Sequence, residues 1–125
     1  MKSGNVLEGR LNVGEAEIRY QILRRDPMLV YLHGLGTNNT ALGHQIRHMN
    51  KLGAGSLAPD QRGHGFSTRF PSANQYSLDS FVNDLEHLVG SHALGKFSII
   101  GHSIGAMIAL KYASLHPESV ESLVL

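Results

Sequence analysis

The sequence predicts an α/β protein built on one sheet, which begins with an antiparallel hairpin and continues with parallel strands. Segments 7–13 and 16–22 each alternate apolar with polar residues, and Gly14-Glu15 between them suits a tight hairpin turn. From residue 28 onward, short apolar segments alternate with amphipathic ones. That alternation is typical of strand–helix units whose strands run parallel. We therefore expect a layered α/β sheet with an antiparallel edge.

Four further strands follow the hairpin, which makes six in all. Met28–Leu32 is apolar throughout, as an interior parallel strand should be. Gly55–Pro59 is a poor strand former and is predicted from its position in the alternation. Segments 97–100 and 120–125 complete the set, the first as a buried strand and the second as the last strand of the sequence.

Three helices are predicted between these strands. The first runs from about residue 40 to 52, with an apolar stripe at Leu42, Ile46, Met49 and Leu52. The second begins after Ser77, whose hydroxyl can cap it. The third spans about 104–115 and stops near His116-Pro117. On the second helix we expect the acidic residues to form a solvated face; they are Asp79, Asp84 and Glu86.

Composition excludes several function classes. The net charge of +1 does not favour nucleic acid or an anionic membrane as a partner. The absence of cysteine excludes disulfides, thiol chemistry and cysteine-ligated zinc. The N-terminus lacks a signal-type apolar run, and no apolar run is long enough to span a bilayer. We expect a soluble cytoplasmic protein without a cofactor or a metal.

The segment Gly101-His102-Ser103-Ile104-Gly105 matches the pattern Gly-x-Ser-x-Gly and lies between a predicted strand and a predicted helix. A sharp turn there projects the serine hydroxyl and holds its backbone in a strained conformation. The helix that follows directs its positive end, and the N–H of Ile104, towards the place where an oxyanion would form. We predict that Ser103 is a nucleophile; the alternative is a glycine-flanked turn with an inert serine.

A second glycine-rich segment, His33-Gly34-Leu35-Gly36, directly follows the strand Met28–Leu32. Glycines at the carboxyl end of a strand let backbone N–H groups face a ligand. In acyl transfer, one oxyanion donor follows the nucleophile and the other comes from the loop after the third strand. The Leu35 N–H is the predicted second donor, and a plain strand-to-loop turn is the alternative.

Together, segments 33–36, 58–67 and 101–105 resemble the α/β-hydrolase superfamily. The similarity is greatest to its branch of esterases, haloperoxidase-like enzymes and carbon–carbon-bond hydrolases. Segment 58–67, Ala-Pro-Asp-Gln-Arg-Gly-His-Gly-Phe-Ser, resembles a turn of that branch. The resemblance implies that residues 1–125 form the N-terminal half of one α/β-hydrolase domain. Helices would cover both faces of its sheet, and the sequence would end before the cap and the last strands.

The resemblance also implies residue roles. Ser103 would be the nucleophile, with the N–H groups of Leu35 and Ile104 as the oxyanion donors. Asp60 and Arg62 would be structural and would hold the loop after the fourth strand. A serine at residue 103 differs from the dehalogenase and epoxide-hydrolase branches, which carry aspartate there.

The catalytic acid and base are expected outside this chain, because in the family they follow later strands. None of the eight histidines is a convincing substitute. His102 neighbours Ser103, but successive residues on a sharp turn point apart, and His33 is expected to fix its own loop. His44 and His48 are spaced for a metal, yet a solvated helix face explains them better.

Three functions remain open at this point. The first is a serine hydrolase that cleaves an ester, a thioester, a lactone or the carbon–carbon bond of a vinylogous 1,5-diketone, with a small acyl or carbonyl substrate. The second is a catalytically incomplete binding protein that pairs through an open sheet edge, with itself or with a complementary C-terminal half. The third keeps the fold but performs haloperoxidase or acyltransferase chemistry.

Overall fold

The computed structural model describes residues 5–125, which form a mixed six-stranded sheet with helices on both faces. The strands are β1 (Leu7–Val13), β2 (Ala16–Leu23), β3 (Met28–Leu32), β4 (Gly55–Pro59), β5 (Phe97–Gly101) and β6 (Val120–Val124). The helices are α1 (Gly43–Lys51), α2 (Leu78–Ser91) and α3 (Ile104–Leu115), with a short 3₁₀ helix at Ala73–Tyr76. The α/β class, the hairpin and the six strands predicted from the sequence are confirmed.

Strand order in the sheet is β1-β2-β4-β3-β5-β6. The hairpin pairs β1 with β2 antiparallel, and β2 also pairs antiparallel with β4. From β4 onward the strands are parallel. Because parallel strands all point the same way, the loops that follow β3, β4 and β5 meet at one edge of the sheet.

Alternate residues of the central strands face opposite layers, as period-two geometry requires. On β3, Val30 and Leu32 belong to the larger core, which α2 and α3 cover, while Tyr31 belongs to the smaller core under α1. A fully buried Leu, Ile or Phe side chain contributes about 1.5–3 kcal/mol, so the larger core supplies most of the hydrophobic stabilisation. Its buried members on α2 and α3 are Phe81, Val82, Leu85, Leu88, Ile108, Ala109 and Tyr112.

The weak strand propensity of β4 has a packing reason. All five of its residues are buried. A Cβ added to Gly55 would lie 2.6 Å from the backbone N and O atoms of Arg25. The glycine therefore lets two backbone segments approach more closely than any side chain would allow.

Helix α1 begins at Gly43, not near residue 40 as predicted. Ahead of it, the Asn38 Oδ1 accepts hydrogen bonds from the Thr40 N–H at 2.9 Å and from the Thr40 hydroxyl at 2.6 Å. A side chain that binds the nearby backbone in this way competes with helix formation. Residues 40–42 consequently form turns.

Asp84 was predicted on a solvated face, and this prediction is wrong. Its carboxylate is buried and accepts two hydrogen bonds from Arg62, from Nε at 2.7 Å and from Nη2 at 2.8 Å. Arg62 also donates from Nη1 to the Gln75 carbonyl at 2.8 Å. Asp79 stays exposed, and Glu86 is half-buried against the imidazole of His116.

Strand β6 forms one edge of the sheet within the described residues. Its outer side carries no strand, and Val124 and Leu125 are 58% and 60% exposed. Among residues 5–125, no helix combines the length and the apolar character needed to cross a membrane.

Candidate active site

Ser103 occupies the junction between β5 and α3 with φ 59° and ψ −121°. A positive φ with this ψ is rare for any residue except glycine, and it stores about 1–3 kcal/mol of strain. The side chain is exposed at the carboxyl edge of the sheet. The strained turn predicted for this serine is therefore confirmed.

Two glycines allow the sharp turn. A Cβ added to Gly101 would lie 2.6 Å from the Gly105 carbonyl oxygen, so the strand and the helix cross in close contact. A Cβ added to Gly105 would overlap the Leu32 carbonyl oxygen at the end of β3. The first turn of α3 therefore rests directly on the neighbouring strand, and a side chain at either position would displace it.

Pairing between β3 and β5 places the loop after β3 beside the serine. Leu32 pairs with Gly101, and the His102 N–H donates to the Leu32 carbonyl at 3.1 Å. Gly34 and Ser103 each lie two residues beyond this pair, and a Cβ added to Gly34 would be 3.2 Å from the Cβ of Ser103. The backbone of Gly34 thus lies against the serine.

The two predicted oxyanion donors are available at this place. Within residues 5–125, neither the Leu35 N–H nor the Ile104 N–H donates to a protein acceptor. Ile104 is the first residue of α3, whose first turn contains no acidic side chain that would weaken its positive end. Leu35 lies in a turn closed by the Thr37 N–H on the Gly34 carbonyl at 3.4 Å, with Gly36 at φ +81°.

Residues at the end of β4 hold this turn. The Asp60 carboxylate is 1% exposed and accepts hydrogen bonds from the Asn39 N–H at 2.8 Å and from the Phe66 N–H at 3.0 Å. The Gln61 N–H donates to Nε2 of His33 at 2.9 Å. The structural role expected for Asp60 is therefore confirmed, and it extends from its own loop to the loop after β3.

His33 is a buried, neutral part of this network. Because its Nε2 accepts a hydrogen bond, the ring proton is assigned to Nδ1, which donates to the Gly34 carbonyl at 2.7 Å. Burial lowers the pKa of His33 and the His64 ring lowers it further, whereas the hydrogen bond to the Gly34 carbonyl and the Asp60 carboxylate raise it without reversing the shift. Both ring nitrogens are engaged, so His33 fixes its own loop, as the sequence predicted.

No histidine among the described residues forms a hydrogen bond with Ser103. Across residues 5–125, nothing forms a hydrogen bond with the Ser103 hydroxyl. His64 is buried, with Nδ1 at 3.0 Å from the Arg62 carbonyl. His102 lies over Gly34, where its Nδ1 would be 2.7 Å from an added Cβ. The structure thus brings Ser103 close to the loop that carries the Leu35 N–H, and among residues 5–125 no base is hydrogen-bonded to the Ser103 hydroxyl.

Sequence reasoning missed Asn39, Gln61 and Asp84. Asp84 had a readable signal, because it lies three residues after Phe81 and four before Leu88, within the apolar stripe of α2. Asn39 and Gln61 bind Asp60 and His33 through their backbone N–H groups, so these two contacts leave no signal in the residue type. His44, half of the candidate metal pair, has its Nδ1 at 3.3 Å from Arg47, a cation that disfavours a metal.

Known proteins match this chain in both sequence and structure. A family model described as alpha/beta hydrolase fold matches residues 27–125. Epoxide hydrolase 2 of Siraitia grosvenorii is 31% identical over 98 residues, which are 78% of this chain and 31% of that protein. Protein phosphatase methylesterase 1 of Candida albicans is 30% identical over 92 residues, which are 70% of this chain and 25% of that protein.

A solved structure shows the same fold. An epoxide hydrolase variant from Vigna radiata superposes with a TM-score of 0.88 at 24% identity, covering 94% of this chain and 37% of the other. The chain thus spans less than half the length of each of these proteins. The family model alone covers most of the chain, and the six-stranded sheet agrees with it. The chain therefore belongs to the alpha/beta hydrolase fold family.

Proposed function

We propose that this chain carries the nucleophile and the oxyanion hole of a serine hydrolase. Ser103 attacks a carbonyl carbon, and the N–H groups of Leu35 and Ile104 receive the negative charge that develops on the carbonyl oxygen. The observation that carries the proposal is the strained Ser103 backbone, with φ 59° and ψ −121°, beside two N–H groups that have no described acceptor. Removing one such donor typically lowers the rate by about 10²–10³.

The chemistry of serine favours acyl substrates over epoxides, although one relative is named an epoxide hydrolase and another a methylesterase. A serine oxygen that opened an epoxide would form an ether, which has no carbonyl for water to attack. Attack on an ester, a thioester or a lactone instead forms an acyl-serine, which water can hydrolyse. The same attack on a vinylogous 1,5-diketone releases a carbon leaving group. A small acyl or carbonyl compound is therefore the proposed substrate.

The proton of the serine hydroxyl needs an acceptor as the new C–O bond forms, because a neutral hydroxyl is a weak nucleophile. No described histidine is hydrogen-bonded to Ser103. We assign the base and its orienting acid to polypeptide outside these 125 residues. The greater length of both relatives supports this assignment.

A fluorophosphonate probe tests the proposal, because it forms a covalent bond with an activated serine. The wild-type chain should be labelled slowly, and millimolar imidazole in solution should accelerate labelling by supplying the missing base. Ser103→Ala should abolish both rates. Ser114→Ala, which removes an exposed serine on the same helix, should leave them unchanged. Labelling that survives Ser103→Ala, or no labelling with imidazole present, would refute the proposed nucleophile.

A second candidate function is assembly through the open edge of the sheet. The uncovered side of β6 and the exposed Val124 favour it, since unpaired edge strands can pair with another chain. Sedimentation of the purified chain at rising concentration should then show self-association. Val124→Lys should weaken it, because a charge on an edge strand opposes pairing. A monomer at all concentrations would contradict this candidate.

A further inference from the structure

We propose that His33 is a positioning residue for the oxyanion hole: as a neutral imidazole it aims the Leu35 N–H, and its protonation releases the turn that carries Leu35. This inference rests on the proposed function, because it concerns the donor assigned to that N–H. It adds a residue that does not touch the substrate. It also adds a condition: the oxyanion site is formed only while His33 is neutral.

The aiming follows from the geometry of one peptide group. The Gly34 carbonyl and the Leu35 N–H belong to the same peptide, which is planar and trans, so the two groups point in opposite directions. Three donors hold the carbonyl: His33 Nδ1 at 2.7 Å, the Thr37 hydroxyl at 3.1 Å and the Thr37 N–H at 3.4 Å. Fixing the carbonyl therefore fixes the direction of the Leu35 N–H.

Hydrogen bonds also attach the turn to the loop after β4, on both sides of Leu35. Before it, the Gln61 N–H donates to His33 Nε2 at 2.9 Å. After it, the Asn39 N–H donates to Asp60 Oδ1 at 2.8 Å. Loss of the first attachment would leave the Leu35 turn held from one side only.

Protonation would break the first attachment. An imidazolium carries a hydrogen on both nitrogens, so its Nε2–H would face the Gln61 N–H, and two donors cannot bond each other. Water cannot resolve this conflict in place, because His33 is 1% exposed. The ring would have to leave its position, and the Gly34 carbonyl would lose its shortest hydrogen bond.

The charged and titratable groups around His33 come from two elements. From the loop after β4, the Asp60 carboxylate favours the charged ring, while the His64 ring, 5.2 Å away between centroids, opposes it. From the turn between β5 and α3, His102 lies against Gly34, the residue after His33. Burial is the largest influence, and it holds the pKa of His33 below the ordinary value of 6.5.

The lowered pKa of His33 determines how the stability of the folded chain changes with pH. Below pH 6.5 the unfolded chain binds a proton that the folded chain still excludes, so stability falls as the pH falls towards the lowered pKa of folded His33. Above pH 6.5 both states are neutral and His33 contributes no pH dependence. The turn should therefore be intact at neutral pH and should open in mild acid.

Amide NMR of the wild-type chain tests, without any enzyme assay, whether protonation of His33 releases the Leu35 turn. As His33 titrates in acid, the Leu35 and Gln61 amide resonances should shift together, with the same midpoint, and the Gln61 amide should exchange faster with solvent. Amides that stay unchanged through the His33 titration would overturn the inference. This result would stand even if Ser103 proved unreactive, so it is separable from failure of the proposed function.

Variants distinguish positioning from simple packing. His33→Gln keeps an acceptor for the Gln61 N–H but cannot become charged, so the acid response of Leu35 should disappear. His48→Gln, the same change at an exposed position on α1, should retain it. With imidazole present, His33→Ala should slow fluorophosphonate labelling at least tenfold, because the Leu35 donor would be lost. His33→Gln should restore most of the rate, and its ratio to wild type should rise in acid; a constant ratio would overturn the inference.

Discussion

At the scale of single residues, Ser103 combines an exposed hydroxyl with a backbone conformation that its residue type does not favour. With its φ of 59°, it lies between Gly101 and Gly105, whose close backbone contacts pack the end of β5 and the start of α3 tightly together. Strain of this kind persists only where the surrounding structure enforces it. The chain thus gives up stability at the position where a hydroxyl is exposed.

The strain predicts an unusual order of stability. Ser103→Gly should raise the free energy of unfolding by about 1 kcal/mol relative to Ser103→Ala, because glycine adopts a positive φ without a Cβ clash. Urea unfolding followed by circular dichroism measures the difference. Ala93→Gly provides a comparison without a catalytic role, since Ala93 also has a positive φ of 49°. Equal stability of the Gly and Ala variants at residue 103 would mean that the turn is unstrained.

At the scale of elements, the Arg62–Asp84 pair connects the loop after β4 to helix α2. Both hydrogen bonds between the two side chains are under 3 Å, and both residues are at least 95% buried. The hydrogen bonds with Asp84 raise the pKa of Arg62, so the guanidinium stays charged. This contact anchors the loop whose first residues, Asp60 and Gln61, hold the Leu35 turn.

Removing one partner of this pair should be strongly destabilising. Asp84→Ala should lower the free energy of unfolding by about 3–5 kcal/mol, because it leaves the Arg62 charge buried without its partner. Asp79→Ala, on the exposed face of the same helix, should change it by less than about 1 kcal/mol. Denaturant unfolding of the two variants measures the contrast. If Asp84→Ala lowered the free energy of unfolding as little as Asp79→Ala does, the buried pair would add no stability.

The sequence predicted the elements better than their ends and their polar contacts. Alternation of apolar and polar residues identified the hairpin, because it records which face each strand buries, and the uniformly apolar segment 28–32 identified β3 as an interior strand. The start of α1 could not be placed, since Asn38 and Asp60 compete for backbone N–H groups that a helix would otherwise use. Asp84 was misassigned because an acidic residue suggests solvent, and its partner Arg62 is distant in the sequence.

At the scale of the whole molecule, strand order creates the site. Neighbouring β3 and β5 place the Leu35 turn beside Ser103, and the loop after β4, on the other side of β3, supplies Asp60 and Gln61. The motifs at residues 33–36, 58–67 and 101–105 are far apart in the sequence, yet they meet at one edge of the sheet. Their order along the chain predicted the family, whereas their mutual contacts depend on pairing that no local pattern records.

Acylation by an activated ester tests the central claim most directly. Ser103 lies beside the two proposed oxyanion donors but has no base among the described residues, so p-nitrophenyl acetate should slowly transfer one acetyl group and the reaction should then stall. Intact-mass analysis followed by peptide mapping should find a single acetyl group on Ser103. The adduct should be lost in Ser103→Ala and kept in Ser114→Ala. An unmodified Ser103, with acetyl groups scattered over lysines and other serines, would contradict the account.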